Sequence, residues 1–417
     1  MAKINEATNT DLKVIEELRQ LGWKPGDTLL YQQEFALTPE QQKVFEGKKS
    51  IKPDITLTDI NGNILAVFEN KFEDEKKALD KLRTLYAMVL KPRFLYACSP
   101  ERILFYDTQW KGLEAGEFMQ VNSFMPLEEM LLKIEQTKKI NLDREISIDK
   151  TIAGGLNPSC GKEMYFQTEC IETLLQGFKQ GRQKMLVHMA TGLGKTRTIV
   201  AFVKALLEYN MAKRVLFAAD RIILADQAFN DGFSLISKEF SAVRITSSNY
   251  RQYKNAQIHI VVIDTLENIY QNIPNTFYDL IVVDECHRSI NINRKLIFDH
   301  FLCPRIGLTA TPRKAIAAKG KDISEEDLAI LDTYKLFGCE TGDPDYQFDL
   351  TRGIDEEFLA PYQVLSIETE LTKLAREKGV EFSYVLDPDE RKKIELDQQK
   401  KLMLEQLDRK YIAENQC

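Results

Sequence analysis

The stretch PDITLTDINGNILAVFENK, Pro53–Lys71, reads as two apolar strands joined by a tight turn, with charged residues at the far ends. Asn61-Gly62 is a strong hairpin signal, because a type I′ turn needs positive φ at both central residues. With those two at the turn centre, Ile60 faces Asn63, Thr58 faces Leu65 and Asp54 faces Glu69. Cβ atoms of directly opposed residues lie about 4.5–5.5 Å apart, and like charges there repel. Lys71 is two residues past Glu69 and shares its face. Centring the turn on Gly62-Asn63 instead sets Asp54 against Lys71 as an ordinary ion pair. In the first register the two carboxylates require a shared proton or a cation between them. Mg²⁺ often takes only one or two carboxylates, completing its shell with water and phosphate. It would activate a water and clamp a phosphate, with Lys71 stabilising the attacking hydroxide or the charged phosphorane.

The 417 residues suffice for two or three domains, and 44% hydrophobic with 29% charged residues is a globular composition. The start, MAKINEATNTDLK, has no apolar signal-peptide core, and no apolar run approaches the ~20 residues of a membrane span. Seven scattered cysteines without C-x-x-C pairs, and four dispersed histidines, indicate reduced thiols without structural zinc. The expectation is a cytoplasmic protein with no membrane partner. A net charge of −7 lacks the basic footprint of a nucleic-acid-binding domain, so any such binding rests on local patches or on partners.

Residues 1–145 form a first unit. Thr10–Leu21 reads as a helix stopped by Gly22, Glu75–Leu90 as a second, and RFLYACS and RILFYDT as strands. Residues 146–162, rich in turn formers, read as a linker. Residues 163–318 then alternate apolar runs (KMLVHMA, RVLFAAD, IHIVVID, DLIVVDE, RIGLTAT) with helices such as TRTIVAFVKALLEY and RIILADQAFNDGF. Fully apolar strands alternating with helices predict a parallel sheet covered on both faces. Residues 319–417 are polar and charged, and are expected to hold a connecting segment and the start of a second, truncated motor domain.

MATGLGKT follows an apolar strand and opens a helix, the setting of a phosphate-binding loop. In the loop Thr191–Thr196, Gly192 and Gly194 let backbone N–H groups approach phosphates at a helix N-terminus. Lys195 would reach the β- and γ-phosphates of ATP, and Thr196 would place its hydroxyl on Mg²⁺. Met189 replaces the usual first glycine. Asp284, ending the strand DLIVVD, would hold Mg²⁺ through water, and Glu285 would polarise the attacking water. Thr309 and Thr311 of TAT would hydrogen-bond toward His287 and sense the γ-phosphate. Gln167 would read adenine through its amide. Arg221 is a candidate DNA phosphate contact, whereas Ile222 and Gln227 read as core and helix surface.

Pro53-Asp54 with Glu69-Asn70-Lys71 resembles the PD-(D/E)xK nuclease core. NEATNTDLKVIEELRQLGW, the hairpin and LYAMVLKPRFLYACS together resemble the N-terminal nuclease domain of type I restriction endonuclease R subunits. That resemblance implies Glu6 as a further acid near the metal, and Tyr86 as the tyrosine of a Q-x-x-x-Y motif in which Leu82 replaces glutamine. YFQTE, ATGLGKT, FAADRIILADQ, DECH and TAT, in that order, resemble the first RecA-like domain of a superfamily 2 helicase. The expected fold is α/β: a PD-(D/E)xK nuclease-like domain, a RecA-like parallel-sheet domain and an incomplete C-terminal segment. The resemblance implies an ATP-dependent DNA translocase coupled to Mg²⁺-dependent double-strand cleavage, working with modification (methyltransferase) and specificity subunits. Such motors take arginine fingers from a second RecA-like domain, worth about 10³–10⁵ in kcat. No motif after Thr311 supplies one, so the expectation is a fragment lacking that domain, which binds ATP·Mg²⁺ but turns it over slowly and does not translocate. The alternatives are a stand-alone defence nuclease-helicase and a silent nucleotide-binding assembly module.

Overall fold

The computed structural model describes residues 2–70, 75–109, 117–142, 144–288, 292–314, 332–339 and 341–362, with side chains left out at 2–9 and at several segment ends. The chain divides into Met1–Leu359 and Ala360–Cys417. Within the first unit, residues up to 142 build a six-stranded mixed sheet. Its strands are β1 (Leu29–Tyr31), β4 (Ile55–Thr58), β5 (Ile64–Asn70), β6 (Phe94–Cys98), β7 (Ile103–Asp107) and β8 (Met119–Val121), in the order β1-β4-β5-β6-β7-β8. Two short strands, β2 (Phe35–Ala36) and β3 (Ser50–Ile51), pair separately around α2 (Pro39–Val44). Helix α1 (Ala2–Gln20) covers one face through Val14 and Leu18, which pack with Ile55, Leu57 and Phe68. The other face is covered by α3 (Glu75–Lys81), a π-turn (Leu82–Tyr86) and α4 (Ala87–Leu90), whose Leu82, Tyr86 and Val89 pack with Val67 and Leu95. Strand alternation assigns the faces: Phe68 and Asn70 look toward α1, and Val67 and Glu69 toward α3.

The hairpin turn differs from the expected type I′. Asn61 does not take positive φ; only Gly62 does, at +72°. Gly62 N–H donates to the Asp59 carbonyl at 3.0 Å, and the Asp59 carboxylate accepts from Asn61 and Asn63 N–H at 2.9 and 2.8 Å. The resulting wider turn pairs Thr58 with Ile64 rather than Leu65, and a bulge between Leu57 and Thr58 restores Leu57↔Ala66 and Ile55↔Phe68. Continued by one residue, that register sets Asp54 against Glu69. The far-end register is therefore that of the Asn61-Gly62 reading, reached through an Asx-stabilised turn plus a bulge.

After α5 (Leu127–Leu142) the chain enters the second sheet through residues 146–162. They are packed, not free: Ile152 and Ala153 are buried in the core of the second sheet, and Arg197 donates to the carbonyl of Ile152 at 2.9 Å. The second sheet has seven strands, all paired in parallel: β9 (Lys184–Met189), β10 (Val215–Ala219), β11 (Ala242–Arg244), β12 (Ile258–Val262), β13 (Leu280–Val283), β14 (Arg305–Thr309) and β15 (Tyr346–Phe348). The order is β11-β12-β10-β13-β14-β9-β15. On one face lie α6 (Tyr165–Lys179), α7 (Lys195–Glu208) and α8 (Ile222–Gln227). On the other lie α9 (Ile263–Ile269), α10 (Ile292–His300) and α11 (Thr333–Leu336). Apolar faces on both sides are why these strands read as unbroken runs.

Two expectations are corrected here. Residues 332–359 do not open a second domain: β15 extends the same sheet beside β9, followed by α12 (Leu350–Asp355). Ile222 and Ile223 are not core but 65% and 69% exposed, because α8 turns its first residues outward. Residues 363–417 and Lys71 lie outside the described residues.

The two sheets meet at Arg214. This buried guanidinium donates to the turn carbonyls of Asn61 (3.3 Å) and Gly62 (2.8 Å) and stacks 4.2 Å from the Phe277 ring, while Thr276 bonds the Asn61 side chain. Arg214→Ala strands two carbonyls and should cost about 2–3 kcal/mol. Urea unfolding of the variant beside wild type measures it; an unchanged midpoint would refute the contact's importance.

Candidate functional site

At the open end of the hairpin, Asp54 accepts the Asn70 backbone N–H through Oδ2 at 2.7 Å. Burial pushes the Asp54 carboxyl up to about 6; Glu69 and Asp11 push it further up, and the Asn70 N–H and Lys81 oppose the shift. Glu69 is fully buried, and both its oxygens accept from Lys81 Nζ at 2.8 Å. Lys81 also lies 4.9 Å from the Tyr86 ring. On the α1 side, Asp11 accepts from Asn70 Nδ2 at 2.6 Å and from the Tyr31 hydroxyl at 2.9 Å. Tyr86 donates its hydroxyl to the Lys52 carbonyl at 3.0 Å.

The structure thus brings Asp54 and Glu69 together and adds Asp11 and Lys81, which the sequence reading missed. Lys81 follows Glu69 by twelve residues on another element, so no local pattern marks it, and nothing local marks Asp11 either. Glu6 lies in α1, but its side chain is outside the described residues, as is Lys71. Among the described residues, no three His, Cys, Asp or Glu side chains form a metal cage. Two opposed carboxylates, Glu69 buried and Asp54 half-buried with its proton affinity raised, do fit the sparse protein shell that Mg²⁺ accepts. Asp54 and Glu69 would hold the ion, which would supply an activated water and a clamp on phosphate oxygens.

The phosphate loop leaves the carboxyl end of β9, where open parallel sheets bind ligands. Gly192 and Gly194 take φ of +88° and +80°, the left-handed region that favours glycine. A Cβ on Gly194 would sit 2.6 Å from Gln167 Nε2. Gln167 itself is buried, accepting the Gly154 N–H at 2.8 Å and donating to the Leu193 carbonyl at 2.8 Å. Gln167 thus braces the loop through its carbonyl oxygen and one amide N–H. Thr191 is exposed, and Lys195 and Thr196 are half-buried at the start of α7.

Asp284, at the end of β13, is buried, and its carboxyl is pushed up to about 6 by burial and by Glu285; Lys195 and the Glu285 N–H counter this. Thr196 and Asp284 are the residues that would hold Mg²⁺ here. Glu285 sits at φ +48°, a strained setting for a non-glycine residue. Its Oε2 lies 3.3 Å from His287 Nδ1. His287 Nδ1 lies 2.9 Å from Thr309 Oγ1, and Nε2 lies 3.4 Å from Thr311 Oγ1. The acid, the histidine and both hydroxyls therefore form one chain across β13 and β14. Arg221 caps α8, with its side chain 64% exposed and loosely paired with Asp220 at 3.6 Å.

Both raised carboxyls carry a pH signature. A folded-state pKa above the unfolded value of about 3.8 means the folded chain holds protons that the unfolded chain releases. The contribution is fully present below about pH 4 and is lost as pH rises through about 6. Without divalent cations, Asp284→Asn should exceed wild-type stability at about pH 7.5, on the order of 2–3 kcal/mol. That gain should vanish near pH 4. Chemical denaturation at the two pH values checks it, and a variant weaker at the higher pH would contradict it.

Residues 162–314 match the family described as type III restriction enzyme, res subunit. The chain is 27% identical over 398 residues to the type I restriction enzyme EcoAI endonuclease subunit of Escherichia coli, covering 89% of this chain and 45% of that one. It is 28% identical over 183 residues to the EcoKI endonuclease subunit of Escherichia coli K12, covering 36% and 15%. Among solved structures, a fragment of an HsdR subunit of a type I restriction enzyme from Vibrio vulnificus YJ016 aligns at a TM-score of 0.33, with 22% identity over 85% of this chain and 62% of that one. By sequence the chain is similar to restriction-enzyme subunits of the nuclease and helicase-like class. Within that class it is similar to the N-terminal portion of type I endonuclease (R) subunits, and it spans less than half the length of the EcoAI subunit. No helix among the described residues is long and apolar enough to cross a membrane.

Proposed function

We propose that the chain acts as the nuclease and ATP-binding part of a type I R subunit, cleaving double-stranded DNA with Mg²⁺ and binding ATP·Mg²⁺ with slow turnover on its own. The observation that carries this is the joining, in one compact unit, of an acid-bearing hairpin to a phosphate loop faced by Asp284 and Glu285. In the nuclease site, Asp54 and Glu69 hold the ion, and Lys81 neutralises the buried Glu69 from the side. Lys71 is assigned to the attacking water. In the ATPase site, Lys195 and the loop N–H groups hold the phosphates. Glu285 orients water, and His287 relays the state of the site to Thr309 and Thr311. Arg221 and the exposed start of α8 are assigned to DNA. Sequence specificity is assigned to methyltransferase and specificity partners, since no base-reading module is evident.

Two assays on the same preparation test the reading: Mg²⁺-dependent nicking of supercoiled plasmid, and binding of ATP·Mg²⁺ followed by thermal melting. Cleavage and nucleotide protection are both expected. A chain inert in both assays is a silent assembly module instead.

A further inference from the structure

The segment after β15 contributes no residue to the sites just described, yet it lies on the phosphate loop. The Ala190 N–H donates to the Phe348 carbonyl at 3.0 Å, tying the loop's first residue to β15. Asp349 caps α12 by accepting the Arg352 N–H at 2.9 Å. At the end of α12 the chain folds back, and the N–H groups of Phe358 and Leu359 both donate to the Gly353 carbonyl at 2.9 Å. The absence of a side chain at Gly353 leaves room for this return: a Cβ there would lie 2.8 Å from Leu359 Cδ1 and 3.6 Å from Leu193 Cδ1. Leu359 Cδ2 in turn lies 3.2 Å from where a Cβ on Gly192 would stand. The leucine side chain therefore rests on the backbone of the phosphate loop.

The same segment grips the entrance to α6. Phe358 packs edge-on against Phe166 at 4.9 Å, and Phe166 stacks on Phe348 at 4.3 Å. The Tyr165 hydroxyl accepts from Arg352 Nη2 at 3.0 Å and donates to Glu356. Lys162 donates to the Glu356 carbonyl at 3.1 Å. One residue past Phe166 is Gln167, which holds the Leu193 carbonyl from the other side. The loop is thus held between Gln167 and Leu359, and the first compact unit ends at Leu359.

We propose that Asp349–Leu359 is a strap whose docking on the phosphate loop is thermodynamically linked to nucleotide binding, with Leu359 as its positioning residue. The proposal rests on the ATP-binding reading of the loop and adds to it. A docked Leu359 restricts the loop around Gly192 before nucleotide arrives, so less ordering remains to be done on binding. Linkage makes the effect reciprocal: whatever factor the docked strap adds to nucleotide affinity, bound nucleotide must add to strap docking. An occupied loop thereby holds the chain leaving the domain at residue 359.

The test uses the full chain and an ATP analogue that resists hydrolysis, with Mg²⁺. Leu359→Ala is expected to weaken binding by about tenfold. In the wild type, hydrogen exchange at the Phe358 and Leu359 amides is expected to slow by a similar factor at saturating analogue. Tyr165→Phe, which keeps the ring and removes the hydroxyl's bonds to Arg352 and Glu356, should act in the same direction and serves if Leu359→Ala does not fold. A purely structural leucine would lower the melting temperature but leave both quantities unmoved. Slowed exchange at residues 192–195 with none at 358–359 overturns the strap. No slowing at 192–195 overturns the nucleotide reading, and the strap with it.

Discussion

Asp54→Asn is expected to lower Mg²⁺-dependent DNA cleavage by about a thousandfold or more while leaving the chain at least as stable as wild type at neutral pH. The catalytic loss follows from removing one of only two carboxylates assigned to the ion. Several kcal/mol of transition-state stabilisation depend on that ion, and each 1.4 kcal/mol is about tenfold in rate. The stability outcome follows from electrostatics. Asp54 is half-buried opposite Glu69, and its carboxyl is already pushed up to about 6, so an uncharged amide relieves desolvation and repulsion. Asn can still accept the Asn70 N–H through its side-chain oxygen. Plasmid nicking and thermal melting on the same sample separate the two effects. Cleavage within tenfold of wild type would remove Asp54 from the chemistry. Lost cleavage with a collapsed melting temperature would make it a structural residue.

The second large effect belongs to Lys195. At a nucleotide concentration about a hundred times Kd, a ligand bound only by the folded state stabilises it by about 2.7 kcal/mol, several degrees in melting temperature. Lys195→Ala should abolish this protection at the same concentration, corresponding to an affinity loss of about a hundredfold or more. The ammonium is the loop's own counter-charge for phosphate, and it also lowers the proton affinity of Asp284. Its removal should therefore push the Asp284 carboxyl further up. Glu285→Gln is the control, expected to keep nucleotide protection while losing turnover. Full protection in Lys195→Ala would mean that nucleotide binds elsewhere.

Legibility followed the range of the interactions. The five apolar strands β9, β10, β12, β13 and β14 were plain because burial on both faces leaves a continuous signal in the residues themselves. The glycines at 192 and 194 were plain because a backbone constraint selects one residue type. β11 and β15, three residues each, carry too little pattern to be recognised, and β15 exists as a strand because β9 offers it an edge. The acidic hairpin was half legible. Its far-end register follows from the Asn61-Gly62 reading, but an Asp59 turn and a bulge produce it. The bracing contacts of Gln167 were not legible, because only folding brings Gly154 and Leu193 to its amide.

By itself the amino-acid order determined the two α/β layers and the phosphate loop with its Asp-Glu partner strand, and it narrowed the partner of Asp54 to Glu69 or Lys71. Each is written in neighbouring residues through periodicity, backbone permissiveness or strand register. Only the tertiary structure decided that Lys81 neutralises Glu69, that Arg214 joins the two sheets through the Asn61 and Gly62 carbonyls, and that Leu359 rests on the phosphate loop. Those contacts link residues 12, 152 and 167 positions apart in the chain. Nothing local selects such a partner; it is selected when two buried surfaces close and a stranded charge, carbonyl or bare glycine backbone must be matched by whatever the other surface presents.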